Sequence, residues 1–150
     1  HAGIERYRYD LLPIEGLTHA VFALGTNDLG HPGTGGAPEE ELITVDQYAA
    51  AARTIADALH KQGVKVYAGL ILPREVNHLF PPEREALRSA INRWIAEDGP
   101  FDAVLDLGAP LPDTDDGVGM KKEFALPDGL HPNLAGGRAI AEAIDLSLFA

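Results

Sequence analysis

Two short clusters carry residue types suited to acyl-transfer chemistry, Gly25-Thr26-Asn27-Asp28 and Asp128-Gly129-Leu130-His131. The second sets a carboxylate three residues before an imidazole. At that spacing the Asp can accept the Nδ1–H of the His, fix its tautomer and leave Nε2 to take a proton. Pro132 steers His131 away from helical backbone, so the imidazole is expected in a loop just ahead of a helix read from Asn133 to Phe149. In the first cluster the Asn27 carboxamide offers a neutral N–H donor, which an ionised Asp cannot, and such a donor suits an oxyanion hole. Gly25 and Asp28 are assigned to substrate or loop support. Each cluster alone has a plainer reading, the first as a turn and the second as a surface His beside a helix start. Together they are far more specific. What is missing is a nucleophile: the only serines are Ser89 and Ser147, both inside helical patterns rather than at a strand-to-helix turn.

The elements that must position these residues alternate. A short helix over 4–12 ends at Pro13 and Gly16, and an apolar run over 18–24 reads as a strand buried on both faces. Asn27 then falls at a strand's carboxyl end, the rim where open α/β sheets bind ligands. A long Gly/Pro-rich loop is expected through Glu41, bordering the site. Thr44-x-x-Gln47 is a capping box opening a helix from Asp46 to Gln62, with Gly63 as its stop. A strand over 64–71 follows, broken by Pro73. Pro81 and Pro82 precede a helix with Leu87, Ile91, Trp94 and Ile95 on one face, closed by Gly99-Pro100. A strand over 102–107 leads into a loop that delivers Asp128 and His131 to the same rim as Asn27. Strands separated by helices imply a parallel sheet with right-handed crossovers, hence an α/β fold in a three-layer α/β/α sandwich.

Composition narrows the partners. At 150 residues and 45% apolar content the chain, residues 1–150, is one domain's worth of material. A net charge of −11 supplies no basic stripe to neutralise phosphates, which argues against nucleic acid. No apolar run approaches a membrane span. Zero cysteines removes disulfides and thiol catalysis and leaves the compartment, secreted or cytoplasmic, unassigned. Asp113-Thr114-Asp115-Asp116-Gly117 reads as an acidic turn, because Phe124 stands where a calcium loop needs Glu. The histidines outside the second cluster have no metal-ligand spacing, and no metal or organic cofactor is implied.

Gly25, Asn27 and Asp28 match G-x-N-D, and Asp128 and His131 match D-x-x-H, continued by Pro132-Asn133-Leu134-Ala135-Gly136. These are the third and fifth blocks of the SGNH (GDSL-type) esterase and acylhydrolase family, which the chain resembles. Linking segments such as Gly63-Val64-Lys65-Val66-Tyr67 and Phe101-Asp102-Ala103-Val104-Leu105-Asp106 resemble those of bacterial members, so the likeness covers essentially the whole chain. It implies a flavodoxin-like sheet, a serine-type hydrolase of acyl or acetyl esters on a small molecule, carbohydrate or lipid, and His131, Asp128 and Asn27 as base, orienting carboxylate and oxyanion donor. The first block, G-D-S, which carries the nucleophile, is absent, and Gly3 is a weak candidate remnant of the second. The expectation is a chain truncated ahead of its first strand, inactive alone, with the strand over 18–24 exposed as an edge that invites self-association. The alternative is a non-catalytic binding module on the same scaffold.

Overall fold

Alternation of apolar strands with capped helices produces a parallel sheet because each crossover must return to the same end. The computed structural model describes residues 2–34, 36–112 and 118–150. Three strands, β1 (His19–Phe22), β2 (Lys65–Gly69) and β3 (Ala103–Leu105), pair in that spatial order, all parallel. Val21 lies opposite Tyr67, and Tyr67 opposite Ala103. Five helices accompany them among the described residues: α1 (Gly3–Asp10), α2 (Thr26–Gly30), α3 (Val45–His60), α4 (Pro82–Glu97) and α5 (Leu134–Ala143). The result is the layered α/β architecture the sequence implies.

The alternating sides of the strands sort the core. Phe22, Val66 and Ala68 join Tyr48, Ile55, Leu59, Ile91 and Ile95 in a cluster with α3 and α4. Phe22 stacks at 5.6 Å on Phe101 and meets Tyr48 edge-on at 6.0 Å, and Tyr48 meets Trp94 likewise at 6.0 Å. The opposite face is covered by the C-terminal segment, where a 3₁₀ turn over Leu146–Phe149 sets Phe149 at 5.1 Å from the Tyr67 ring and 5.6 Å from His19.

Local signals place most boundaries. Thr44 caps α3 by accepting from the Gln47 N–H at 3.2 Å, while the Gln47 side chain accepts from the Thr44 N–H at 2.8 Å. At the start of β3, Asp102 accepts from both the Val66 N–H, at 2.8 Å, and the His60 ring, at 2.9 Å, fixing the far end of the sheet.

Two expectations need correction. The residues after β1 do not form one long loop: they wind into α2 and, later, a 3₁₀ turn over Glu39–Glu41. Burial of Leu29, 1% exposed, supplies the helix with the anchor that its turn-rich composition hides. The last helix also stops early, because Ile144 is extended (φ −78°, ψ 122°) and Asp145 caps a separate 3₁₀ turn through Ser147. The acidic run over 113–117 lies outside the described residues.

Candidate active site

The first cluster begins with a glycine that nothing else can replace. Gly25 takes φ +124°, and a Cβ there would sit 2.5 Å from Ile71 Cδ1 and 3.2 Å from the Tyr48 ring. From this sharp turn α2 starts at once, with Asn27 in its first turn and exposed. Tyr48 donates its hydroxyl to the Leu24 carbonyl at 3.1 Å, tying the end of β1 to α3. Burial, with a smaller contribution from the charge of Asp28, pushes the Tyr48 phenol well above its ordinary range, so it stays a neutral donor. Gly3, at the start of α1, packs against Leu24, where a Cβ would come within 2.6 Å of Leu24 Cδ1. That contact sets the start of α1 against the side chain that follows β1.

The second cluster is a closed loop. The Leu126 N–H donates to the His131 carbonyl at 2.8 Å, the Gly129 N–H to Leu126 at 3.0 Å, and Gly129 takes φ +65°. Inside it Asp128 is fully engaged: Oδ1 accepts the N–H groups of Leu130 and His131, both at 2.9 Å, and Oδ2 meets His131 Nδ1 at 2.8 Å. These bonds, the His131 N–H foremost, hold the Asp128 carboxyl far below the usual carboxylate range. The His131 side chain remains 65% exposed, so Nε2 faces outward from an oriented ring. Asn133 caps α5 by accepting from Ala135 and Gly136, and its amide binds the Glu123 and Ala125 carbonyls.

The segment after β2 joins the two clusters. The Glu75 N–H donates to the Gly129 carbonyl at 3.1 Å, and a Cβ at Gly30 would lie 2.7 Å from an Arg74 guanidinium nitrogen. The end of α2 and the Asp128–His131 turn thus flank one short stretch at the carboxyl end of the sheet. Helix α4 holds that stretch with polar side chains. Arg88 donates to the Ile71 carbonyl at 2.8 Å, and Asn92 grips both the N–H and the carbonyl of Ile71, at 2.8 and 2.9 Å. Arg84 reaches α2, donating to the Leu29 carbonyl at 2.6 Å and the Pro32 carbonyl at 3.0 Å.

A family model described as GDSL-like Lipase/Acylhydrolase matches residues 2–139. The chain belongs to that family. Among solved structures, a Bacteroides fragilis protein aligns to this GDSL-like chain with a TM-score of 0.71 at 15% identity, covering 97% of this chain and 67% of that one. A GDSL-like lipase of Bacteroides thetaiotaomicron gives 0.63 at 19%, covering 94% and 70%. An acetylxylan esterase of Geobacillus stearothermophilus, solved as a catalytic mutant, gives 0.70 at 19%, covering 94% of this chain and 63% of its own. At such identities the likeness establishes the fold. No protein of curated function matches the GDSL-like chain.

Sequence reasoning passed over Arg74 and the polar side of α4. Arg84, Glu85 and Arg88 are at most 9% exposed, although three charged residues in five read as a solvated face. The one available signal was the Pro73-Arg74 step directly after a buried strand.

Proposed function

We propose that this GDSL-like chain supplies the base and oxyanion half of a serine-type ester hydrolase. The observation carrying this reading is the His131–Asp128 contact of 2.8 Å in a turn bonded through Gly129 to the rim that also holds Asn27. In the reaction a serine hydroxyl attacks the acyl carbonyl and His131 Nε2 takes its proton. The Asn27 carboxamide donates to the oxyanion, and Asp128 stabilises the imidazolium. The proton then passes to the leaving alcohol, and water repeats the cycle on the acyl intermediate. Gly25 shapes the turn, and Asp28 supports it. The substrate class is an acyl or acetyl ester on a small molecule, carbohydrate or lipid, in keeping with the acetylxylan esterase among the structural neighbours.

A second reading, a non-catalytic module on this scaffold, draws on the serines. Ser89 sits on α4 with its hydroxyl on Glu85 at 3.3 Å, and Ser147 sits in the C-terminal 3₁₀ turn. Neither has the setting of a nucleophile. Fusing a strand–helix–strand segment that carries Gly-Asp-Ser ahead of residue 1 separates the readings. The chain alone should neither hydrolyse p-nitrophenyl acetate above background nor react with a fluorophosphonate probe. The fusion should do both, and His131→Ala should abolish its turnover. A well-folded but inert fusion favours the module.

We also propose that the free edge of β1 recruits another copy of the chain. Among the described residues β1 pairs only with β2, and beside it Val21 is 48% and Leu24 39% exposed. An apolar cavity of about 220 Å³ opens between α1 and that strand.

A further inference from the structure

Arg74 stands between the two clusters, and among the described residues no carboxylate pairs with its guanidinium. Its guanidinium carbon lies 4.1 Å from the centroid of the Phe80 ring, and Phe80 is fully buried. Its Nε is buried with no hydrogen-bond acceptor among the described residues. The two carboxylates whose charges act on it are already committed. Asp128 accepts two backbone N–H groups and the His131 ring, and Glu85 accepts two bonds from Arg88, at 2.8 and 2.5 Å. They act on Arg74 only at range: desolvation lowers its pKa, while the charges of Asp128 and Glu85 favour its protonated form. Arg84, which is buried more completely, shows the contrast, since Glu39 and two carbonyls satisfy it.

A partly desolvated guanidinium held over an aromatic ring is preorganised for a planar oxyanion, which it can bind with two parallel N–H donors. The surrounding chain has a net charge of −11, so an anionic substrate meets general repulsion and needs one local cation to be held. Gly30 leaves room for that cation beside α2, since a Cβ there would lie 2.7 Å from an Arg74 nitrogen.

We propose that Arg74 is a specificity-determining residue that receives an oxyacid group, carboxylate or phosphate, carried by the ester substrate close to its scissile bond. This rests on the hydrolase reading only in placing the ester between Asn27 and His131. The anion contact itself is independent of turnover.

The test is a titration of the chain, followed by ¹H–¹⁵N NMR at the Arg74 Nε–H and the His131 ring, with succinate, inorganic phosphate and neutral methyl acetate as probes. Succinate or phosphate should give saturable shifts at both groups, and whichever saturates names the oxyacid. Methyl acetate should leave Arg74 unmoved. Arg74→Lys, which keeps the charge over Phe80 but loses the fork, should weaken binding about tenfold. Arg74→Gln should remove it. The wild-type titration decides the matter even if a variant fails to fold. Shifts that do not saturate, or that are no larger at Arg74 than at Arg93 and Arg138, overturn the proposal. So does saturation at Arg74 that leaves His131 untouched. Neutral-ester turnover by the Gly-Asp-Ser fusion reports separately on the hydrolase reading: turnover without anion binding sinks Arg74 alone, and anion binding by an inert fusion sinks the hydrolase alone.

Discussion

Among the described residues Asp128 accepts all its hydrogen bonds within its own turn, so its effect on His131 is local and can be isolated by substitution. Asp128→Asn should release the fixed tautomer of the imidazole, seen as a change in the His131 ring ¹⁵N shifts with the rest of the spectrum nearly unchanged. The pH dependence follows from the direction of the shift. The folded carboxyl lies below its unfolded value of about 3.9. The order it imposes is therefore complete above that unfolded value and is lost as pH falls through the folded one. The Asp128–His131 coupling should persist through mildly acid solution and vanish only in strong acid. Ring shifts that decouple near pH 5 would contradict this. Gly25 makes a different demand. Gly25→Ala adds a Cβ at a positive φ and against Ile71, at a cost of roughly 2 kcal/mol or more. Chemical denaturation should register that loss together with displaced Asn27 amide resonances.

Among the elements, α4 does most to hold the rim, through polar rather than apolar contacts. Asn92→Ala removes both partners of the Ile71 backbone at that position, and the Arg88 bond replaces only one of them. The unsatisfied N–H should cost about 1–3 kcal/mol and raise hydrogen exchange at residues 70–76 before it does so in β2. How far the sequence disclosed these elements depended on how local their causes are. The capping box of α3 and the proline start of α4 need only neighbouring residues, and both are legible. Helix α2 is not, because Gly, Asn and Asp favour turns. What winds them into a helix is Leu29 reaching the core and Gly25 accepting an angle only glycine tolerates. The Asp128–His131 pair was legible for the same reason as the capping box. Arg74 was not, since its meaning arises only where α2, the segment after β2 and Phe80 converge.

The whole molecule presents an apolar edge on a strongly acidic body. Under the edge proposal, backbone groups on the open side of β1, beside Val21 and Leu24, would template another strand. Charge repulsion at −11 opposes that pairing, and salt screens repulsion more than it weakens apolar contact. Sedimentation velocity should therefore show more dimer or higher oligomer at about 300 mM salt than at about 20 mM. Val21→Lys, a gatekeeper charge on the edge, should shift the chain toward monomer at both. A monomer at all salt concentrations, unfolding cooperatively at high temperature, would overturn the edge proposal and favour the self-sufficient module.

The closed turn from Leu126 to His131 also bears on the order in which the molecule is made. Its bonds join residues near one another in sequence, and such loops close in well under a microsecond. The pairing of β1 with β2 joins His19 to Lys65, so it must first overcome the entropy of closing a long crossover, which makes parallel sheets slow to assemble. Asp128 and His131 can thus meet early, while the chain is still largely unfolded. Asn27 joins them only when the sheet is complete. Completion of the rim that carries Asn27 is then a late event of folding, and a chain caught before it already holds the Asp128–His131 pair with nothing yet opposite.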